Sequence, residues 1–310
     1  MKLNDILLDG VIPQIGFGPG GMGYSPTYKG REKEKSKFSS ILLKFQNRYD
    51  KYIGVPLQKK SYVISIENAL RLGYRIIDYS AAYGDGILLQ EAIQRSEVKR
   101  EDLFITTRVS NWAQREGKVR EEFMRFLKNM NLEYVDLLQF HWPVTDLYLD
   151  TWREMEKLYE EGYVKHLGVA NCHQHHLEEI FKICKYRPEI GQFEIHPLFT
   201  QKSLIQYYKD QGIVVEAYTP IARYDDRLVR LPLLRRLENK YGKTFVQIIL
   251  RWHIQNGCIP LVRSLTPEHQ KENFDIFDFE LSEEDMKSID SININSRLRY
   301  DPDNCDFSIL

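Results

Sequence analysis

Short apolar runs alternate with longer amphipathic segments along most of the chain, from about residue 61 onward. Most of the short runs are too continuously apolar to have one face in water, so they predict buried parallel strands. Among the longer segments, Trp152, Met155 and Tyr159 recur at three- and four-residue spacing, which predicts a helix with one apolar face. The strand candidates are QIGFG, YRIIDYS, LFITTRV, VDLLQFH, KHLGVAN, IGQFEIH, GIVVEAYTP and GCIPLVRS.

Eight strands that alternate with helices predict a (β/α)8 TIM barrel, with residues 1–310 as a single domain. The alternative is a doubly wound open sheet, but no GxGxxG motif follows a strand and opens a helix. The Gly-rich stretch at 16–23 is therefore interpreted as a turn. Residues 22–60 interrupt the alternation after the first strand. We interpret them as an inserted loop, either a lid over the site or a mobile insertion.

Composition and charge narrow the class of protein. The chain is 43% hydrophobic and 28% charged, which is typical of soluble globular proteins. A net charge of -1 provides no global attraction to nucleic acid or to an anionic membrane, so neither is expected as a partner. No apolar run approaches the ~18 residues of a membrane span, and the N-terminus lacks the pattern of a signal peptide. The four cysteines show no CxxC spacing, which favours reduced thiols and a cytoplasmic location.

Three of the predicted strands end near ionisable side chains. Asp78 and Tyr83 follow one strand, Arg108 ends the next, and His141 ends the third. Because parallel strands of a barrel end at the same mouth, we expect these side chains to lie together. A cation beside a phenol stabilises the phenolate and so helps it to donate a proton, and an imidazole can bind the same substrate oxygen. The shared position of the four predicts a proton-transfer site, although each alone would be an ordinary polar group at the barrel mouth.

At these residues the chain resembles the aldo-keto reductases, and more narrowly their bacterial, diketogluconate-reductase-like branch. The resemblance implies a (β/α)8 barrel with an N-terminal β-hairpin and no metal. It also implies NADPH-dependent reduction of a small aldehyde or ketone. By position, Tyr83 would donate the proton, His141 would orient the carbonyl, and Asp78 would hold the family's cation. The matching stretches include GYRIIDYSAAYG, VDLLQFHWP, LGVAN, GQFEIHP, EAYTP and IPLVRSLTPEHQKENFDIFDFELSEEDM.

The cation of the family is normally a lysine, whereas this chain has Arg108. A guanidinium is bulkier and planar, and its charge is less localised than that of an ammonium. Arg108 could still hold Asp78 but polarise Tyr83 less well. The leading hypothesis is therefore a carbonyl reductase, and the main alternative is a catalytically weakened NADP(H)-binding sensor or regulatory protein. A weaker alternative is a lyase or isomerase that uses no nicotinamide.

The resemblance also implies a cofactor site in two parts. Tyr218 matches a tyrosine that stacks on nicotinamide, and two amide side chains match groups that bind its carboxamide. After the eighth strand, a cation, a hydroxyl and a helix start suit the 2'-phosphate, which favours NADP over NAD. The matched cofactor-binding residues are Asn171, Gln192, Tyr218, Arg263, Ser264, His269, Glu272 and Asn273.

Other side chains bear on the substrate and on metal binding. Trp142 and Trp112 are expected to line the pocket for a small carbonyl substrate. The histidines at 173, 175 and 176 suggest a metal site at first sight, but no matching Cys, Asp or Glu set accompanies them. They are interpreted as a surface patch at a helix start, and no metal is expected. We expect a monomer. The alternative is a dimer, in which aromatic residues of the insertion would form the contact between subunits.

Overall fold

Eight parallel strands close into one barrel, and their order in space is their order in the chain. This arrangement is seen in a computed structural model, which describes residues 13–20, 55–84 and 86–307. The ring closes where Gly16 aligns with Leu261. The predicted (β/α)8 fold is confirmed. The strands are β1 Gly16–Phe17, β2 Ile76–Asp78, β3 Phe104–Val109, β4 Val135–Phe140, β5 Val164–Ala170, β6 Ile190–Glu194, β7 Val214–Tyr218 and β8 Cys258–Val262.

Helices connect the strands and cover the outside of the barrel. Some of them begin at a residue whose side chain satisfies one of the first amide groups, as at Thr244, whose hydroxyl accepts from the backbone N–H of Gln247. The helices are α1 Val55–Leu72, α2 Ile87–Ser96, α3 Asn111–Arg115, α4 Val119–Met130, α5 Tyr148–Glu160, α6 Gln174–Ile183, α7 Lys202–Asp210, α8 Asp226–Val229, α9 Pro232–Tyr241, α10 Phe245–Gln255, α11 Pro267–Phe274 and α12 Glu283–Asp290.

The outer core lies between these helices and the barrel. In α5 the predicted apolar face is confirmed, since Trp152 and Met155 are fully buried. Packing of α7 on β6 requires a glycine at position 191. A Cβ there would lie 1.9 Å from a ring carbon of Tyr208 on α7. A larger residue at position 191 would push α7 away from the sheet.

The barrel interior has an apolar floor and a polar layer above it. Side chains two residues apart on a strand point to the same side, so Ile76 belongs to the floor and Asp78 to the layer above it. Because water is excluded below, the polar groups must satisfy one another. The floor consists of Ile76, Phe104, Leu137, Ile190, Val214, Ile259 and Leu261. The polar layer consists of Asp78, Arg108, Gln139, Gln192 and Glu216.

The boundaries of the predicted insertion need one correction. Residues 55–60 were expected to belong to the inserted loop, but they form the first part of α1. The remainder of that insertion and the predicted N-terminal β-hairpin lie outside the described residues. The four cysteines are free thiols, as predicted. Within the described ranges, none of the helices has the length and apolar character needed to cross a membrane.

Candidate active site

A buried ion pair joins β2 and β3 at the barrel mouth. Arg108 donates from Nη1 to Oδ1 of Asp78 at 2.5 Å and from Nη2 to Oδ2 at 2.8 Å. Such a two-point bond is strong and fixes the planes of both groups. Burial alone would lower the pKa of Arg108, but the negative charge of Asp78 and its hydrogen bonds to the guanidinium raise it. The guanidinium therefore stays charged inside the barrel.

Tyr83 lies on a short 3-10 turn, Ala81–Tyr83, that follows β2. Ser80 caps this turn by accepting a hydrogen bond from the N–H of Ala82 at 3.2 Å. Nη2 of Arg108 donates to the phenol oxygen of Tyr83 at 3.4 Å. Because the oxygen accepts this bond, its own proton remains available to another acceptor. The structure thus brings the cation and the phenol together, as the sequence predicts.

His141 faces Tyr83 across the mouth. The two rings lie edge to face, with centres 5.8 Å apart and planes at 84°. Burial lowers the pKa of His141 to about 3, and the charges of Arg108 and Arg299 add to this effect. At neutral pH the imidazole is uncharged. It can donate a hydrogen bond from its ring N–H to a substrate oxygen, but it does not supply a cation.

Gln192 connects the ion pair to the far side of the barrel. Its Oε1 accepts from Nη1 of Arg108 at 2.9 Å. Its Nε2 donates to Asp78 at 3.0 Å and to Glu216 at 2.9 Å. Both amide hydrogens are thus used, and one lone pair on Oε1 remains for a further donor. Gln192, predicted as a cofactor contact, is also part of the ionic network.

Glu216 is the member of this network that sequence reasoning missed, together with Gln139. Glu216 is fully buried on β7, and Oε1 of Gln139 lies 3.5 Å from Nη1 of Arg108. Burial and the negative charge of Asp78 together raise the pKa of Glu216 to about 7. The sequence did contain a signal for both residues. Gln139 lies two positions before His141, and Glu216 lies two positions before Tyr218, so each points to the same side of its strand as that residue.

Two further predicted residues adjoin His141. Asn171 donates from Nδ2 to the backbone oxygen of His141 at 2.9 Å, and its Oδ1 accepts from the hydroxyl of Tyr218 at 2.6 Å. Asn171 has a φ of 60°, a left-handed conformation that asparagine tolerates better than most residues. Burial raises the pKa of Tyr218, so its hydroxyl stays a donor. The predicted nicotinamide contacts therefore lie beside the predicted catalytic residues.

The residues predicted to bind the 2'-phosphate lie together after β8. Arg263 and His269 are exposed, and Ser264 is half-buried. Glu272 and Asn273 follow on α11, where Glu272 accepts from the hydroxyl of Thr244 at 2.6 Å. The guanidinium of Arg263 reaches the segment that follows β1, because a Cβ built on Gly20 would lie only 3.1 Å from its Nη1. Arg263 thus offers an exposed positive charge at the end of β8.

The two tryptophans predicted to line the pocket differ in exposure. Trp142 is only 3% exposed and packs against Phe307, whereas Trp112 on α3 is 43% exposed. Part of the Trp112 ring is therefore in contact with solvent, while the ammonium of Lys118 lies 5.3 Å from its centre. Trp142 is covered by the C-terminal part of the chain, with Tyr300 also against its ring at a distance of 6.5 Å between centres.

The three neighbouring histidines begin α6, as predicted, with His173 as its N-cap. The sequence argument that they lack a carboxylate was wrong. Asp303, which is 130 residues further along the chain, lies 2.7 Å from Nδ1 of His173 and 3.1 Å from Nε2 of His175. No spacing rule links positions so far apart, so only the fold shows this cluster.

The comparison with known proteins agrees with this geometry. The model of the Aldo/keto reductase family matches residues 53–294. The chain belongs to the aldo/keto reductase family. Membership confirms the predicted family and oxidoreductase class and the predicted cofactor, NADP(H). Neither the individual roles of the site residues nor the substrate follow from membership.

Similar proteins in this family include bacterial enzymes, in line with the predicted branch. An uncharacterized oxidoreductase of Bacillus subtilis, YtbE, is 42% identical over 79% of this chain and 88% of its own length. The glyoxal reductase of the same organism is 41% identical over 77% and 86%. The methylglyoxal reductase DkgA of Escherichia coli is 37% identical over 78% and 88%.

Solved structures give the same result. An aldo-keto reductase from a Medee basin deep-sea metagenome library superposes with a TM-score of 0.77 at 38% identity and covers 79% of this chain and 91% of its own. A Bombyx mori aldo-keto reductase in complex with NADP superposes with a TM-score of 0.76 at 28% identity and covers 94% and 92%.

Proposed function

We propose that this protein reduces a small aldehyde or ketone to an alcohol with NADPH, and that Tyr83 supplies the proton. The observation that carries the proposal is the hydrogen bond from Nη2 of Arg108 to the phenol oxygen, with His141 across the mouth. One cation stabilises the phenolate that proton donation leaves behind. The neutral imidazole provides a donor for the substrate oxygen beside it.

The residues present fit NADP(H). Tyr218 and Asn171 would hold the nicotinamide end, and Arg263 would hold the 2'-phosphate through a charge-assisted bond. Gln192 would accept one hydrogen bond from the carboxamide but could donate none, because its hydrogens already bind Asp78 and Glu216. When bound, the cofactor supplies the hydride for the carbonyl carbon.

Side chains of the protein orient the substrate carbonyl and transfer the proton. His141 orients the carbonyl by donating from its ring N–H, since its lowered pKa of about 3 excludes an acid role at neutral pH. Tyr83 moves its proton to the developing alkoxide as negative charge builds there. Arg108 holds the phenolate, and Asp78 fixes the guanidinium plane. Trp112 provides apolar surface for a small substrate.

The function is tested by following NADPH oxidation with a panel of small carbonyl compounds. The panel includes glyoxal and methylglyoxal, because relatives carry those names. We expect turnover of at least one dicarbonyl. NADPH binding without turnover of any member would contradict the proposal. It would favour the sensor alternative, in which Arg108 bonds closely to Asp78 and Gln192 but lies 3.4 Å from the phenol oxygen of Tyr83. An absence of nicotinamide binding would favour the lyase or isomerase alternative.

Cofactor preference depends on Arg263 in this proposal. Replacing Arg263 with alanine removes a charge-assisted bond of about 1.5–3 kcal/mol, so KM for NADPH should rise roughly 10- to 100-fold. KM for NADH, which has no 2'-phosphate, should stay within about twofold. Steady-state kinetics with both cofactors measures this. Arg95→Ala, at an exposed arginine that pairs with Glu67, is the control and should change neither KM. An equal rise in KM for NADPH and for NADH would show that Arg263 does not bind the 2'-phosphate.

Glu216 should give the protein a pH dependence near neutrality. Its folded pKa of about 7 exceeds its ordinary value of 4.5, so the native state holds more protons than the unfolded state between these pH values. The free energy of unfolding must therefore fall as pH rises through this window, by the order of 3 kcal/mol. In Glu216→Gln this fall should disappear. Urea unfolding at pH 5 and pH 8 compares the two proteins, and parallel pH profiles would contradict the assignment.

A further inference from the structure

A second cluster of ionisable side chains lies outside the catalytic network. One ligand atom from each of four residues lies within 4.8 Å of the others: His173, His175, His176 and Asp303. The histidines begin α6, and the aspartate belongs to the C-terminal segment, which we define as residues 297–307. Imidazole nitrogen and carboxylate oxygen are ligands that suit zinc and other first-row transition metals, whereas magnesium and calcium prefer oxygen alone.

We propose that these four side chains form a binding site for a divalent transition-metal ion such as Zn2+. The carboxylate of Asp303 lies 2.7 Å from His173, 3.1 Å from His175 and 3.6 Å from His176. A tetrahedral zinc ion with bonds of 2.0–2.1 Å requires ligand atoms about 3.3 Å apart. The distances to Asp303 bracket this spacing, and all four ligand atoms lie within 4.8 Å of one another, so side-chain rotation has at most about 1.5 Å to close.

The rings of His173 and His176 each contact a hydrogen-bond donor as well as Asp303. Nδ1 of His176 accepts from the backbone N–H of His173 at 3.1 Å, so its proton is on Nε2. Nε2 of His173 lies 3.1 Å from Nη2 of Arg297, which can only donate, so its proton is on Nδ1. Each ring therefore directs an N–H toward the carboxylate of Asp303.

Binding a metal shifts these two protons. The proton of His173 moves from Nδ1 to Nε2, and that of His176 from Nε2 to Nδ1. Each ring then loses the hydrogen bond that it accepts, from Arg297 or from the backbone. The Nε2 of His175 lies 3.1 Å from Asp303, and its side chain is 58% exposed, so water can take up any proton that the ion displaces from this ring. We therefore expect an affinity in the micromolar range and a leading role for His175.

The site would fasten the C-terminal segment over the pocket. That segment is already held at its start, where Glu194 accepts from the backbone N–H groups of Leu298 and Arg299 at 2.7 and 2.9 Å. Further along, Phe307 packs on Trp142. Asp303 lies between these two contacts, so an ion bound there would fix the middle of the segment that covers Trp142.

Calorimetric titration of the full-length protein with Zn2+, after metal removal by a chelator, tests the site. We expect one ion per chain for the wild type. His175→Ala and Asp303→Asn should each weaken binding by at least about tenfold, since loss of even an outer partner of a ligand costs this much. Arg297→Ala should strengthen binding, because it removes a competing donor and a positive charge. Circular dichroism would verify that every variant is folded.

The matched control is His166→Ala. His166 also lies beside a carboxylate, Glu189, at 3.1 Å, but it belongs to none of the ligand groups found among the described residues. Its removal should leave zinc affinity unchanged. The site is refuted if the wild type takes up no Zn2+ at 100-fold excess, or if His175→Ala binds as tightly as the wild type.

An effect of the bound metal on substrate binding rests on the proposed function, so the kinetics of carbonyl reduction are measured separately from zinc binding. With the site loaded, KM for the carbonyl substrate should change by more than about twofold, while KM for NADPH should not. A protein that binds zinc but reduces no carbonyl would overturn the proposed function and leave the metal site intact. A protein that reduces carbonyls but binds no zinc would overturn only the metal site.

Discussion

Replacing Tyr83 with phenylalanine should lower kcat for carbonyl reduction roughly 100- to 10,000-fold, the usual contribution of a positioned general acid. The phenyl ring keeps the edge-to-face contact with His141, so the barrel mouth retains its shape. Only the oxygen that accepts from Arg108 is lost. NADPH affinity, measured by fluorescence titration, should stay within about twofold because the predicted cofactor contacts remain.

The matched control for this change is Tyr186→Phe. Tyr186 packs on Tyr159, with ring centres 4.7 Å apart, and takes no part in the catalytic network. It should keep full activity. If Tyr83→Phe retains more than about a tenth of the wild-type kcat, another group donates the proton and the proposed role of Tyr83 is wrong.

Replacing Arg108 with methionine should lower the free energy of unfolding by about 3–5 kcal/mol, because the carboxylate of Asp78 is left buried without a cation. Reduction should also be lost, since no cation then faces Tyr83. Urea denaturation at pH 7 measures the first effect, and NADPH oxidation measures the second. Arg120→Met, at an exposed arginine that pairs with Glu161, should change stability little. Equal effects of the two substitutions would show that the buried pair is not important for stability.

Arg108→Lys separates a working arginine from a weakened site. A lysine can still pair with Asp78, but it cannot maintain the two-point contact and the bond to Gln192 together. We expect kcat to fall by up to about tenfold, because the guanidinium positions several members of the network. A rise of more than about tenfold would instead indicate that arginine weakens catalysis. That result would favour the sensor alternative.

The ends of three strands could be predicted to carry the catalytic candidates, because strand periodicity and the rule for parallel barrels place such residues at one mouth. Arg108 does contact both Asp78 and Tyr83, as expected. The engagement of Gln192 by this set could not be predicted. It depends on side-chain reach across the barrel, from β6 to β2 and β3, and no local pattern encodes that distance.

Two other features show the same limit. The start of α1 at Val55 shortens the predicted insertion, since helix ends depend on packing as well as on local composition. The burial of Trp142 could also not be predicted. The residues that cover it, Phe307 and Tyr300, lie more than 150 positions further along the chain. Contacts at such separation are fixed only when the barrel closes.

The sequence by itself determined the barrel, the reductase family and the order of polar residues at the strand ends, because these follow from periodicity and from contiguous motifs. The tertiary structure decided which polar groups share a buried environment. It placed Glu216 in the same buried layer as Asp78 and Arg108, where burial and the charge of Asp78 raise its pKa to about 7. It also brought Asp303 to the three histidines of α6. Both depend on distance and on exclusion of water, which are properties of the folded chain rather than of any segment.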